Sequence, residues 1–410
     1  MKRPVWTADN VLTWCLYGYA LAMPVSIAVS EPLAFLALPV WLYLLLLGRA
    51  KPAGPSPYFW PVFLFTAAAV LSASLGLRPE LSMRKLDRLL LLGVVFIIPA
   101  AFCQGKEGGW KTAWTLVTLF VAGATLKAAY DTIRIPLTML FAQLGGLAAL
   151  DENGMPVLFK LGNMREPQIY AVSLCFIIGA LLHGRWTRRN PWAMAALVLN
   201  AMGLILHFKR GAWLAFVLAA CVIALAARRR NVMLIIGMCA IALFAFPQVR
   251  HRVGQIENEF SQGMGGRLKL WTQTGPRLIR QYPFGIGWRA VKYEDLRGAT
   301  RHVQRGLNHL HDNPLQIALE TGWLGLAAWL NWMGVAFYVM WTTCRRAAGA
   351  EPEAAAIALG VLGGFSAVML NGVVEYNFGD AEIFMILCFL LALSALVNHR
   401  LSRPADPGSA

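Results

Sequence analysis

Twelve apolar segments, each close to the length of a bilayer span, leave this chain few ways to fold. They cover 11–30, 32–48, 58–77, 89–104, 112–130, 166–182, 191–207, 211–227, 232–247, 322–342, 354–373 and 381–397. Crossing the hydrocarbon layer takes about 20 mainly apolar residues. Lipid cannot solvate bare backbone N–H and C=O groups, so such segments are expected to be α-helices. With 58% hydrophobic and 14% charged residues among 410, the composition lies outside the soluble globular range. The expectation is an all-α integral membrane protein: one polytopic domain over 1–410, with about twelve transmembrane helices, no separate soluble enzyme, and a disordered tail at 404–410. The first apolar run is long and lacks a small-residue cleavage site, so it is expected to remain as an anchor.

Basic residues in the short connections set the orientation. With twelve alternating spans, Lys2, Arg3, Arg49, Lys51, Lys106, Lys111, Arg185, Arg188, Arg189, Arg228 to Arg230, Arg345, Arg346, Arg400 and Arg403 share one side. That side is assigned to the cytoplasm, with both termini in it. The stretch from Ile135 to Leu150 is short and contains Gly145-Gly146. Counting it as a span would put the arginine triplet outside, so residues 131–158 are read as an interfacial or re-entrant piece on the outer face. The seven cysteines lie in or beside apolar runs and no C-x-x-C occurs, which indicates neither a disulfide framework nor a thiolate metal site. The pI near 9.9 follows from positive-inside charge, so nucleic acid is not an expected partner.

One large hydrophilic loop, 248–313, falls on the outer face, where basic residues are normally scarce. It holds eleven of the 37 Lys and Arg residues against five acids. Most of these suit a solvated loop resting on anionic headgroups, but a few positions ask for more. Arg267 follows Gly265-Gly266 and opens a short helix that Gly275-Pro276 interrupts. A cation in a first helical turn opposes the macrodipole; an anion held by the guanidinium and the free N–H groups of that turn would account for it. Arg210, in His207-Phe208-Lys209-Arg210-Gly211, joins two spans almost without a loop and sits at the membrane boundary. There it either serves a site or snorkels to headgroups.

His311 stands just ahead of a helix whose first residue is Pro314, with Asp312 or Asn313 as cap. That helix is expected to run to about Thr321-Gly322 and lead into the tenth span. A histidine there is suited to accept a proton at neutral pH. His309 and His311 also form an H-x-H pair, but no third metal ligand is apparent in the sequence. Arg165 opens the sixth span, and Glu375, Asp380 and Glu382 fall between the last two. Arg78, Arg84, Lys85 and Arg88, between the third and fourth, read as headgroup contacts. Outer-side carboxylates are few and scattered along the chain, which favours arginines over a divalent cation for neutralising an anionic substrate.

Three motifs in order now carry a family likeness: Phe208-Lys209-Arg210-Gly211-Ala212-Trp213; Gly266-Arg267-Leu268-Lys269-Leu270-Trp271 with Tyr282-Pro283-Phe284-Gly285-Ile286-Gly287; and His311-Asp312-Asn313-Pro314-Leu315-Gln316 running on to Thr321-Gly322. The chain resembles the bacterial O-antigen ligase family, within the wider superfamily of ligases and polymerases of lipid-linked glycans. The motif match covers roughly 160–325. It departs in one place: the family often follows the histidine directly with Asn, whereas Asp312 intervenes here. This leaves His309 and His311 both open, although the helix-start argument favours His311.

The resemblance implies a GT-C-like architecture in a bacterial inner membrane, with the active site on the periplasmic face under the large loop. It implies transfer of a finished polysaccharide from undecaprenyl pyrophosphate to a sugar hydroxyl of lipid A–core, without nucleotide sugar, metal or cofactor. On that basis Arg210 and Arg267 would grip the pyrophosphate and stabilise its growing charge. His311 would deprotonate the acceptor hydroxyl, which attacks from the opposite face with inversion. Arg165 would be a further phosphate contact and Asp380 a partner of the histidine or the acceptor, with His309 beside them as a substrate contact. An O-antigen polymerase or protein O-oligosaccharyltransferase would use the same donor. A flippase for an anionic lipid would instead need charges along a path through the bilayer.

Overall fold

The computed structural model describes residues 7–50, 56–103, 110–144, 165–229, 267–291 and 309–402, with isolated positions between 231 and 254. Every regular element among them is helical. The chain runs through α1 (Ala8–Ala22), α2 (Ile27–Leu46), α3 (Phe59–Leu75), α4 (Pro79–Arg84), a 3-10 stretch (Leu86–Gly93), α5 (Val94–Phe102), α6 (Lys111–Leu144), α7 (Glu166–Leu182), α8 (Pro191–Leu206) and α9 (Arg210–Ala226). A helical turn (Arg267–Lys269) and a π turn (Leu270–Thr274) lead into α10 (Gly275–Gln281), followed by α11 (Asn313–Ala347), α12 (Pro352–Asn371) and α13 (Ala381–Leu401). Each apolar segment of the sequence carries helix except 232–247, which lies almost wholly outside the described residues. Much of the 248–313 loop and the 404–410 tail lie outside them too.

Among the described residues, five helices are long and apolar enough to cross a membrane: Ile27–Leu46, Lys111–Thr138, Asn313–Ala347, Pro352–Asn371 and Ala381–Ser402. Large apolar side chains remain exposed on the outer helices, among them Leu46, Leu126, Ile133, Leu214 and Tyr338. A water-facing surface does not tolerate so many, and a lipid-facing one requires them. The bundle is layered accordingly. The apolar stretches of α12 and α13 are 83% and 89% buried and form its centre, whereas that of α2 is 22% buried and forms its rim. Small residues bring α7 against α12: a Cβ on Gly179 would stand 2.6 Å from Ala356 O, and one on Gly360 would stand 2.3 Å from Phe176. Close backbone approach of this kind is how helices gain packing where the hydrophobic effect is absent.

One expectation changes. The fifth apolar segment does not end at 130: α6 continues through Pro136 to Leu144, 34 residues in all. At 1.5 Å per residue it is about 51 Å long and exceeds the hydrocarbon layer. Residues 131–144 are therefore an extension of one helix, while 145–158 lie outside the described residues. The tenth segment is the second half of α11. As the sequence suggested, its first half starts at Asn313-Pro314, and the chain bends at Gly322 (φ 70°, ψ −172°). A side chain there would strike Pro283 O at 2.3 Å, so the bend needs glycine.

The N-termini of α7, α9, α11 and α13 and the C-termini of α3, α8 and α12 gather at one end of the bundle, tied by the contacts described next. At the other end Arg185 pairs with Glu353 at 3.3 Å, Arg346 bonds Asn398, and Arg400 donates to Phe102 O at 2.6 Å. Arg185, Arg346 and Arg400 thus sit opposite the candidate site.

Candidate active site

A chain of buried amides builds the floor of the site. Asn377 donates to Gln168 Oε1 at 2.7 Å and to Val368 O at 2.8 Å, and its own Oδ1 accepts from Asn313 at 2.7 Å. Asn313 Oδ1 in turn accepts from Phe378 N at 3.1 Å, and its backbone N–H donates to Gly372 O at 2.8 Å. These bonds lock α7, the turn between α12 and α13, and the start of α11 into one piece. Buried amides with satisfied partners are costly to disturb, which makes this a rigid platform. Asp312, the residue that interrupts the family pattern, caps α11 by accepting from Leu315 N at 2.6 Å. Asn313 is thereby left to hold the turn.

His311 and Glu375 stand on this platform. His311 Nδ1 lies 3.1 Å from Glu375 Oε1, and Arg267 Nη2 lies 3.3 Å from Glu375 Oε2. A carboxylate only accepts, so His311 carries its proton on Nδ1 and presents Nε2 as a base. Burial works against the Glu375 charge, yet the bond from His311 and the charge of Arg267 outweigh it and hold the carboxyl below its usual range. His309 packs edge-on to His311 at 4.2 Å between ring centroids, and its Nδ1 accepts from His311 N at 3.3 Å. Burial, together with the charges of His311 and Arg267, lowers His309 to about 4 against the opposing pull of Glu375. His309 is therefore neutral at pH 7.

A cavity of about 390 Å³ opens beside Glu375 and His309; Lys85, Arg165, Arg289, Tyr376 and Asp380 line it further along. Arg165, ahead of α7, pairs with Asp380 at 3.3 Å and Glu382 at 2.9 Å. The carboxylate beside the histidine is thus Glu375, and Asp380 belongs to Arg165. Burial, with Glu382 and Glu375 nearby, pushes Asp380 up to about 6 in spite of Arg165. Behind the cavity the buried Glu320 accepts from Gln316 at 2.8 Å, from Tyr376 OH at 3.1 Å and from Arg289 N at 3.2 Å.

Arg210 opens α9, whose next residue, Gly211, lies against Asn371 and Val374, just before Glu375. The preceding turn is fixed by His207, whose Nε2 lies 3.2 Å from the fully buried Asp131; Tyr170 OH donates to the same Asp131 oxygen. Among the described residues four non-glycine positions have left-handed backbone: Phe208, Arg228, Arg289 and His311. Three of them sit at or beside this site, where strained backbone is typically retained for function.

Three features escaped sequence reasoning. Outer-side carboxylates are scattered along the chain but gathered in space, so their spacing did not argue against a cation. Glu375 supplies the third donor that the H-x-H pair lacked: ligand atoms of His309, His311 and Glu375 lie within 4.8 Å of one another. Lys85 and Arg289, read as surface charge, line the cavity. A carboxylate sixty-odd residues from its histidine leaves no spacing signal, and Glu375 stood in the sequence only as one of three acids between the last two spans.

Fold and site together define a multi-pass helical membrane protein with a charged, histidine-bearing pocket at one end of its bundle. Residues 195–330 match the family model described as O-antigen ligase. The matched stretch contains Arg210, Arg267, His309 and His311, of which His309 lines the cavity, while Arg165, Glu375 and Asp380 line it from outside that stretch. No curated protein matches the chain.

Proposed function

We propose that this protein is an O-antigen ligase of the bacterial inner membrane, acting at its periplasmic face. Its donor is a polysaccharide on undecaprenyl pyrophosphate and its acceptor a sugar hydroxyl of lipid A–core. The observation that carries the reading is one carboxylate, Glu375, shared between His311 and Arg267. It joins a base for the incoming hydroxyl to a guanidinium suited to the departing phosphate.

His311 Nε2 takes the proton of the acceptor hydroxyl as that oxygen attacks the anomeric carbon. The bond from that carbon to the pyrophosphate oxygen breaks on the opposite face, giving inversion. Undecaprenyl pyrophosphate leaves with the electron pair, and Arg267 and Arg210 stabilise the charge as it grows. Glu375 keeps His311 in the required tautomer and offsets the imidazolium that forms, as the carboxylate of a hydrolase triad does. No metal is required in this scheme. Arg267 already places a positive charge 3.3 Å from the carboxylate a metal would need, and both histidine Nδ1 atoms are engaged in hydrogen bonds.

The test is reconstitution in liposomes with a defined lipid-linked donor and separate acceptor arms. New glycan on lipid A–core supports the ligase. Extension of donor glycan alone would indicate a polymerase, glycan on protein a protein transferase, and relocated lipid without a new glycoside a flippase.

A further inference from the structure

We propose that Gln316 and Glu320, one turn apart on α11, are positioning residues that set His311 and Glu375 in register through a buried hydrogen-bonded frame. This rests on the ligase reading and supplies what keeps its base aligned.

Both residues are buried. Gln316 Oε1 accepts from Leu310 N at 2.8 Å, and Gln316 Nε2 donates to Glu320 Oε1 at 2.8 Å. Leu310 stands between His309 and His311, and its carbonyl accepts from the Trp271 indole N–H at 2.9 Å. The two histidines therefore flank a residue gripped on both sides, by α11 and by the π turn that follows Arg267. Glu320 carries the frame to the other half of the pair. It accepts from Tyr376 OH, at 3.2 Å on Oε1 and 3.1 Å on Oε2. Tyr376 follows Glu375 directly and sets its ring beside His309, 5.7 Å between centroids. Arg289 N donates to Glu320 Oε2 at 3.2 Å.

The bonds close a ring: from Leu310 through Gln316, Glu320 and Tyr376 to Glu375, and across the 3.1 Å contact back to His311. His311 needs such a frame, because its left-handed backbone (φ 53°) persists only where the surroundings fix it. The chemistry of the hub is specific. A buried carboxylate is costly unless its oxygens are well hydrogen-bonded, and Glu320 meets that condition by taking three donors. Gln316 Nε2 and Arg289 N approach opposite oxygens, and both only donate. An amide at 320 would turn its own NH2 towards one of them, whichever way it is placed. The effect of Gln316 and Glu320 on the reaction passes through His311 and Glu375, which makes them positioning groups.

The experiment uses Glu320→Gln and the milder Tyr376→Phe, which removes one hydroxyl, each alone and combined with Glu375→Gln. Transfer by the full chain is followed in liposomes, and His311 is followed by nitrogen NMR of histidine-labelled protein in detergent. In each single variant kcat should fall about tenfold, the loss of one hydrogen bond to a charged group, while donor KM stays within about twofold. On the Glu375→Gln background the same changes should cost less than about twofold more, because groups acting through one contact are not additive. The His311 signal, identified by its absence in His311→Ala, should move from the Nδ1–H form towards a mixture of tautomers in Tyr376→Phe. A kcat within about twofold of wild type in both variants, or an unchanged His311 signal, overturns the frame. Losses that multiply fully with Glu375→Gln, or that fall on donor KM instead of kcat, overturn it as well. Should Glu320→Gln fail to elute as folded protein, Tyr376→Phe decides alone. Wild-type protein that shows the His311 signal but transfers nothing counts against the ligase reading, while the NMR comparison still decides the frame.

Discussion

His311 and Glu375, 64 residues apart in the chain, meet at 3.1 Å because a buried amide chain fixes the start of α11 to the turn between α12 and α13. The same carboxylate takes Arg267 on its other oxygen at 3.3 Å. The proposed base and the proposed phosphate-binding cation are thereby held at a set separation before any substrate arrives, and preorganisation of this kind lowers a barrier without reorganisation cost.

Glu375→Gln tests that arrangement. The amide is nearly isosteric but can donate to His311 and favour the wrong tautomer. Turnover should fall by about two to four orders of magnitude, as in hydrolase triads that lose their carboxylate. The donor KM should move far less. A variant within a factor of two of wild type in kcat would remove Glu375 from the mechanism.

Chelation tests the reading of the His309, His311 and Glu375 donors. Transfer should survive thorough treatment with EDTA, because in the proposed mechanism the arginines neutralise the pyrophosphate. Activity that disappears and returns on adding one divalent cation would assign the three donors to a metal instead.

Acid stability tests the environment of His309. Its folded pKa of about 4 lies below the ordinary imidazole value of 6.5. Between those values the unfolded chain binds more protons, so this group costs stability as pH falls from about 6.5 to 4. Asp380, raised to about 6, acts in the opposite sense between 3.8 and 6, so the total curve mixes the two. The difference between His309→Gln and wild type isolates the histidine. The Tm difference should shift in favour of the variant as pH falls from 7 to 5, and a constant difference would mean that His309 titrates normally.

The membrane class and most helix positions could be read from the sequence because lipid imposes one rule on every span. The α7 segment, predicted at 166–182, is Glu166–Leu182 in the structure. The helix start at Pro314 and the break at Gly322 were legible because caps, prolines and glycines act locally. Contacts between distant segments were not. Arg267 was seen to need an anion, but nothing in its neighbourhood says that Glu375 provides one. Lys85 and Arg289 looked like headgroup charges until folding set them on one cavity wall. The length of α6 was misjudged because Pro136 and the glycines near 145 suggested a break, and a long helix absorbs a single proline when its neighbours compensate.

In the proposed mechanism His311 acts on the acceptor hydroxyl and Arg267 on the pyrophosphate. Donor binding and single-turnover transfer, measured side by side on His311→Ala and Arg267→Ala in liposomes, test it most directly. His311→Ala should bind the lipid-linked donor within about twofold of wild type and transfer nothing measurable, because a base touches the hydroxyl and not the phosphate. Arg267→Ala should lose both. If His311→Ala loses donor binding as severely as Arg267→Ala does, the histidine is a phosphate ligand and the general-base assignment is wrong.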